Sequence, residues 1–133
     1  MKAISSYRSR PMNLGAMVVI SDNSGGKIGR ITGVVKGKTT KGRQQSAGLG
    51  DHVKISIRAG VPEMAGQVFD AVIIRQKKEF RRKTGERIAF EDNAVAILKD
   101  DKGNPKGTQI KGPIAREITE RWPLLSKIAS IVV

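Results

Sequence analysis

The first 110 residues of this chain contain no segment in which apolar residues recur at helical spacing. Short apolar segments are instead separated by turns rich in Gly, Asn and Asp. Parallel strands need crossover connections that are usually helical, so an open parallel sheet is excluded. Short strands joined by glycine-rich turns predict a mainly β fold, in the form of a small closed barrel.

Residues 52–58 carry the clearest strand signal, because apolar and polar residues alternate strictly. Successive side chains of a strand point to opposite faces, so this pattern predicts which face lies inward. The inward set is Val53, Ile55 and Ile57, and the outward set is Lys54, Ser56 and Arg58.

The other strand signals are less regular. Residues 67–75 are almost continuously apolar, which is typical of a strand that is covered on both faces. Gly29 and Gly33 predict bends or bulges in the strand that contains them. The remaining predicted strands cover residues 16–21, 27–35, 88–90 and 94–99.

A dense block of positive charge lies between two of these strands. Residues 75–83 hold six positive charges and one negative charge, and strands at 69–74 and 88–90 flank them. Blocks of like charge are usually disordered tails, but this block is internal. We therefore predict an ordered basic hairpin, and nucleic acid is the polyanion that best explains it.

The whole composition supports a nucleic-acid partner. The chain has 25 Lys and Arg against 12 Asp and Glu, a net charge of +13, and 38% hydrophobic residues for a core. It has no cysteine, which excludes disulfides, thiol catalysis and cysteine-based zinc sites. No signal peptide and no membrane-length apolar run is seen. We expect a soluble, cytoplasmic protein without membrane contact.

The C-terminal segment (residues 112–133) changes character. Pro113 is predicted to be the first residue of a helix, in which Ile114, Ile118 and Trp122 form one apolar stripe. Pro123 ends that helix, and residues 124–130 are predicted to form a second short one. The stripe should face inward, and the charged residues of the first helix should face away from the barrel.

Candidate catalytic residues are few. His52 is the only histidine, and we expect it to be a surface or interface side chain. Asp22, Glu91 and Asp92 have the chemistry to hold magnesium, but a turn cap for Asp22 and ion pairs with arginines for the other two explain them better. No nucleotide-binding glycine fingerprint occurs. We expect no enzyme activity, no catalytic residue, no metal and no cofactor.

An ordered set of short motifs resembles one known family. The motifs are Asp22-Asn23-Ser24-Gly25, Gly50-Asp51, Ala71-Val72-Ile73-Ile74-Arg75, Phe90-Glu91-Asp92-Asn93-Ala94 and Gly112-Pro113-Ile114-Ala115-Arg116-Glu117. Together, from about Leu14 to the C-terminus, they resemble the universal large-subunit ribosomal protein fourteen family. Gln76-Lys77-Lys78 and Trp122-Pro123 are similar to its archaeal and eukaryotic branch. Arg8 and Arg10 precede these motifs, so a role for them rests on charge alone.

The resemblance implies a closed five-stranded barrel with a protruding basic hairpin and two short C-terminal helices. We expect one domain over residues 1–133, with the barrel at about 14–111, the basic arm at 75–87 and a helical C-terminal segment. The resemblance also implies a structural constituent of the large ribosomal subunit that binds 23S-type ribosomal RNA. Its further implied partners are neighbouring large-subunit proteins, small-subunit RNA through an intersubunit bridge, and anti-association initiation factor six.

The predicted site residues form two sets. The predicted RNA-binding residues are Lys27, Arg30, Lys36, Lys38, Lys41, Arg43, Lys54, Arg58, Arg75, Lys77, Lys78, Arg81, Arg82, Lys83 and Arg87. The predicted protein-docking residues are Arg116, Glu117, Glu120, Arg121 and Lys127. Glu117 and Glu120 lie on the first predicted C-terminal helix, and two acids on one helix are unusual in so basic a chain. RNA would repel them, so a protein neighbour or simple exposure suits this helix better.

Two functions from other classes remain open at this point. An RNA chaperone would bind single strands or duplexes outside the ribosome, but five aromatic residues offer little base stacking. A metal-dependent nuclease would need converging carboxylates, and those of this chain are scattered. Comigration with large subunits, migration as unbound protein, or magnesium-dependent RNA degradation would separate the three functions.

Overall fold

The structure is a computed structural model, and it describes residues 6–7 and 9–133. The strands of this part of the chain are β1 (Ser6–Tyr7), β2 (Met12–Asn13), β3 (Met17–Ile20), β4 (Gly26–Val34), β5 (Ser46–Ala47), β6 (His52–Gly60), β7 (Val68–Arg75), β8 (Phe80–Arg82), β9 (Arg87–Ile88), β10 (Ala94–Leu98), β11 (Ile110–Ile114) and β12 (Ala129–Val132). The helices of the same part are α1 (Arg116–Arg121) and α2 (Pro123–Ser126). No helix among the described residues is long and apolar enough to cross a membrane.

Among the described strands, five close into a barrel in the order β10-β3-β4-β6-β7. The pairing of β10 with β3 is parallel, and the other pairings in the barrel are antiparallel. This confirms the predicted mainly β fold with a closed barrel and two short helices. Three smaller sheets accompany the barrel: β1-β8-β9, β11-β12 and β2-β5.

The longest strand, β6, shows the predicted alternation. Val53, Ile55 and Ile57 are at most 1% exposed inside the barrel, whereas Lys54 and Arg58 are exposed outside it. The register between β4 and β6 shifts next to Gly29 and Gly33, so the predicted irregularities are also confirmed. A bulge bends a strand and increases its twist, which helps a small sheet to close on itself.

The molecule has two hydrophobic cores that share a wall. The inner core fills the barrel and contains Ile55, Ile73 and Ile97. The outer core lies between the C-terminal segment and the outside of β7 and β10, and it contains Ile74, Leu98 and Ile118. Because β7 and β10 contribute alternate residues to both cores, their apolar runs are continuous. The prediction that residues 67–75 are covered on both faces is confirmed for Ala71 to Ile74.

The covered wall is the outer face of β7 and β10, which the C-terminal segment covers. The open wall is the outer face of β3, β4 and β6, where side chains alternate between buried and exposed. Each fully buried aliphatic side chain contributes about 1.5–3 kcal/mol, so the covered wall adds substantially to stability.

The predicted basic arm is an ordered hairpin, with β8 and β9 as its paired strands. Its second strand is β9, two residues long, and not the predicted segment 88–90. Gly85 has a φ of +93°, and the Arg82 amide donates to the Glu86 carbonyl across the turn. The arm does not stand alone, because β1 pairs with β8 on its other side.

The predicted start of the first C-terminal helix is wrong. Pro113 lies in strand β11, and helix α1 begins at Arg116. The preceding Gly112 has a φ of +79°, and a Cβ there would lie 2.6 Å from Nη1 of Arg75. Pro113 pairs with Ile131 of β12, and its carbonyl accepts from Nη1 of Arg75, so this residue is held in a strand and its carbonyl is not available to a first helical turn.

The second helix and the end of the chain also differ from the prediction. Helix α2 ends at Ser126, and residues predicted to be helical enter β12, which pairs in parallel with β11. The predicted inward stripe is nevertheless confirmed, because Ile114, Ile118 and Trp122 are at most 4% exposed. The indole nitrogen of Trp122 donates to the Gly50 carbonyl at 2.9 Å.

Candidate nucleic-acid interface

Most of the predicted RNA-binding side chains are exposed. The exposed set is Lys27, Arg30, Lys36, Lys38, Lys41, Arg43, Lys54, Arg58, Lys77, Lys78, Arg81, Lys83 and Arg87. They lie in three regions: the open wall, the basic loop (residues 36–50) that connects β4 to β6, and the basic arm. Arg8 lies outside the described residues, and Arg10 is exposed beside the basic loop.

On the open wall, cations and apolar side chains share one surface. Strands place Arg30, Lys54 and Arg58 outward because their neighbours in sequence fill the barrel. The ammonium group of Lys54 lies 2.8 Å from Oδ1 of Asp70 on the adjacent strand. Exposed Val68 and Ile28 lie on the same side of the sheet. This surface can contact phosphates with its cations and the faces of sugars or bases with its apolar groups.

The pKa of Asp70 is lowered from its ordinary value of 3.8. Burial alone would raise that pKa, but the hydrogen bond and the charge of Lys54, together with the charge of His52, outweigh burial. Nε2 of His52 lies 3.3 Å from the same carboxylate, outside hydrogen-bond geometry. Asp70 therefore stays ionised at neutral pH and offsets part of the positive charge of the open wall.

The basic loop is held in a defined shape. The side-chain amide of Gln45 accepts from the Val34 amide at 3.2 Å and donates to the carbonyls of Val34 and Gly37. The Thr39 hydroxyl donates to the Arg43 carbonyl at 2.7 Å. Lys36 occupies the left-handed region, with a φ of 63°. These bonds order the loop before any ligand arrives. Sequence reasoning missed Gln45, since a glutamine in an aperiodic loop gives no spacing signal.

Arg75 was predicted to bind RNA, but its side chain is buried and fully engaged. Nε and Nη2 donate to Asp92, Nη2 also donates to the Ser21 hydroxyl, and Nη1 donates to the carbonyls of Lys111 and Pro113. These five bonds use all five donors of a guanidinium group. Arg75 therefore joins β7, β3 and β11, and it has no donor left for a phosphate.

Arg82 is the second predicted RNA-binding residue that turns inward. Its Nε donates to Glu117 Oε1 at 2.8 Å, and its Nη2 donates to Glu117 Oε2 at 3.3 Å and to the Val133 carbonyl at 2.7 Å. Arg82 is 8% exposed and Glu117 is 4% exposed. The prediction that Glu117 faces away from the barrel is therefore wrong, because it is the buried partner of a cation in the basic arm.

The other predicted protein-docking residues are on the outside of the C-terminal segment. Arg116, Glu120 and Lys127 are exposed, and Arg121 is half-buried, with Nη1 3.5 Å from Asp51 Oδ1. The same surface includes three exposed apolar residues at the end of the chain: Ile131, Val132 and Val133. Exposed apolar residues next to charges of both signs are typical of protein interfaces.

Two of the three carboxylates that sequence analysis considered for catalysis have structural partners, and the third, Glu91, is exposed. Asp22 accepts from the Ser24 amide, which confirms the turn cap, and its other oxygen accepts from the Ile97 amide. Asp92 pairs with an arginine, as expected. His52 is 6% exposed, so its predicted surface position is wrong. Among residues 6–7 and 9–133, no group of three or more His, Asp or Glu side chains could hold a metal ion.

Comparisons with known proteins identify a family to which the chain is similar. Residues 12–133 match the family described as Ribosomal protein L14p/L23e. A relative named Large ribosomal subunit protein uL14, from Nanoarchaeum equitans, is 53% identical over 133 residues, which is 100% of both chains. Relatives with the same name from Methanothrix thermoacetophila and Methanocorpusculum labreanum are 49% identical over 93% of both chains and 41% identical over 100% of both chains.

Proposed function

The chain belongs to the ribosomal protein L14p/L23e family, and we propose that its open wall, basic loop and basic arm are the surfaces that contact ribosomal RNA. As a member of this family it is a structural constituent of the large ribosomal subunit, not an enzyme, and it binds ribosomal RNA and ribosomal proteins. The predictions of the family and of a non-enzymatic role are confirmed. The chaperone and nuclease alternatives are set aside by family membership.

The observation that carries the proposal is the excess of exposed cations over exposed carboxylates. Of the twelve carboxylates, Asp22 is buried, and Asp51, Asp70, Asp92 and Glu117 pair with cations. Exposed acids such as Glu79 and Glu86 on the basic arm are outnumbered by the exposed predicted cations. With a net charge of +13, this excess leaves a strongly positive surface that attracts the phosphate backbone.

We further propose that the outside of the C-terminal segment docks proteins. Its exposed apolar residues and mixed charges suit a protein neighbour better than a polyanion. The family resemblance suggests two protein partners for this surface, a neighbouring large-subunit protein and anti-association initiation factor six. Small-subunit RNA at an intersubunit bridge is a further partner that the resemblance suggests for the molecule as a whole.

The RNA assignment is tested by the salt dependence of binding to large-subunit ribosomal RNA. A double variant, Arg81→Gln with Lys83→Gln, should reduce the log–log salt slope by about 0.7–0.9 per lost phosphate contact. The matched control, Arg116→Gln with Lys127→Gln, removes the same charge from the C-terminal surface and should leave the slope unchanged. Equal slopes for all three proteins would contradict the proposal.

The docking assignment is tested on reconstituted large subunits. Ile131→Asp with Val132→Asp should weaken binding of the anti-association factor while incorporation into subunits continues, as judged on sucrose gradients. Loss of incorporation with unchanged factor binding to the remaining subunits would show that this surface serves assembly instead.

A further inference from the structure

Two adjoining cavities border the basic loop, with volumes of about 380 Å³ and 290 Å³. They share four wall residues, Arg10, Gly37, Lys38 and Ser46, so they form one cleft. The first cavity lies within the loop, and the second lies between the loop, β6 and helix α1. The two cavities together are the loop cleft.

The lining of the loop cleft is rich in cations and hydrogen-bond donors. Its cationic residues are Arg10, Lys36, Lys38, Lys41, Arg43 and Arg121. The single carboxylate in the lining, Asp51, is 7% exposed and already accepts from the Gly48 amide at 2.8 Å, and it faces Arg121. Hydroxyl groups of Thr39, Thr40 and Ser46 complete the wall. Such a set suits an anion whose oxygens only accept hydrogen bonds.

The cleft is also organised in advance. Gln45 holds the backbone on both sides of Lys36, and the Val35 amide donates to the His52 carbonyl at 2.9 Å, which joins the loop to β6. A loop that is already ordered loses less conformational entropy when it binds a ligand. Each contact of its cations therefore contributes more to the net binding free energy.

We propose that the loop cleft holds backbone phosphates of ribosomal RNA. The proposal rests on the proposed function and extends it in two ways. It adds Arg10, which no motif indicated, and it assigns Arg121 to the RNA side, although this residue was predicted to dock protein. An acidic protein segment is the alternative occupant, but the cleft is mainly polar and lacks the apolar centre typical of a protein interface.

The chain carries two unique reporters beside this cleft. His52 is the only histidine and lines the second cavity, and Trp122 is the only tryptophan. Their rings meet edge to face, with centroids 5.7 Å apart. A charged ligand in the cleft should therefore shift the imidazole resonances of His52 without any label.

The experiment titrates the whole protein with a short oligouridylate while the His52 resonances are followed by NMR. We expect a saturable shift that an oligomer with a neutral methylphosphonate backbone does not produce. Arg10→Gln with Lys38→Gln should weaken the affinity reported by His52 by about tenfold, as expected for losing two exposed charge contacts. Lys99→Gln with Lys102→Gln removes the same charge at two exposed positions outside every proposed binding surface and should leave that affinity unchanged.

Three results would overturn the proposal: an unmoved His52 signal while fluorescence anisotropy shows the oligomer bound, equal affinity in both double variants, or an equally strong response to polyglutamate. Each of these leaves the salt-dependent binding of ribosomal RNA intact, so it refutes the cleft alone. Loss of salt-dependent binding to ribosomal RNA would instead refute the proposed RNA-binding surfaces as a whole.

Discussion

The two walls of the barrel use the same strand geometry for opposite purposes. On the open wall, outward positions such as Lys54 and Arg58 are exposed cations. On the covered wall, the equivalent outward positions, including Val72 and Ala96, are fully buried beneath the C-terminal segment. A strand with one face exposed alternates in polarity, whereas a strand with both faces covered is continuously apolar. The chain thus has one wall with exposed outward cations, which we propose faces RNA, and one wall whose outward residues pack against the C-terminal segment.

The arginines follow the same division. Arg81 and Lys83 on either side of Arg82 are exposed, while Arg82 itself enters the interior and meets Glu117. Side-chain alternation along β8 produces this result, because neighbouring residues of a strand point to opposite faces. A single basic block therefore contains both exposed cations, which we propose bind RNA, and a buried cation that stabilises the fold.

The largest expected effect comes from placing a charge on the covered wall. Val72→Asp should reduce the free energy of unfolding by several kcal/mol, because the carboxylate would be buried without a partner. Ser56→Asp, on the open wall, should change it by less than about 1 kcal/mol. Urea denaturation measures both. A similar decrease in the free energy of unfolding for both variants would contradict the proposed difference between the two walls.

The next effect tests the ion pair between the basic arm and the C-terminal segment. Glu117→Ala leaves Arg82 as an uncompensated buried charge and should cost about 3–5 kcal/mol. Glu63→Ala removes an exposed carboxylate and should stay within about 0.5 kcal/mol of the original protein. Thermal and urea unfolding provide the comparison, and a small loss for Glu117→Ala would show that the pair is dispensable.

The third effect compares two neighbouring residues of β8, the inward Arg82 and the outward Arg81. Arg82→Gln should lower stability by about 3 kcal/mol or more, because it leaves Glu117 buried without its cation. Arg81→Gln should leave stability unchanged within about 0.5 kcal/mol and weaken RNA binding. Denaturation and filter binding, measured on both variants, should give opposite rankings. A loss of stability in Arg81→Gln would contradict the assignment of inward and outward positions.

The smallest effect concerns the ion pair on the open wall. The lowered pKa of Asp70 means that its carboxylate stabilises the fold above the ordinary value of 3.8, and that this stabilisation disappears as pH falls through the lower pKa of the folded state. Asp70→Asn should therefore cost about 0.2–1 kcal/mol at neutral pH, the range for exposed pairs. The cost should vanish in strong acid, and a cost independent of pH would contradict this role.

The barrel was predictable because its signals are local. Alternation at Val53, Ile55 and Ile57 fixes which face of β6 lies inward, and the apolar run from Ala71 to Ile74 indicates burial on both faces. These patterns reflect geometry within a single strand, so they need no knowledge of the rest of the fold.

The errors arose where a distant contact overrides a local rule. Pro113 is acceptable at the start of a helix, but Arg75, 38 positions earlier, takes its carbonyl and holds β11 extended. The charge of Glu117 indicates exposure, but Arg82, 35 positions earlier, supplies a buried partner. Sequence spacing does not reveal such pairs, so the inward arginines were assigned to RNA together with their exposed neighbours.

The parallel pairing of β3 with β10 has a consequence for folding kinetics. Val19 and Ala94 are register partners, so the barrel cannot close until a chain emerging from the ribosome has extended well beyond its first hairpin. Closure of long loops carries an entropic cost before the new contacts repay it, and such topologies fold slowly. During that interval the edges of β3 and β7 that later pair with β10 are unprotected. Newly made chains should therefore depend on a chaperone, or on rapid capture by their own binding site, to avoid aggregation.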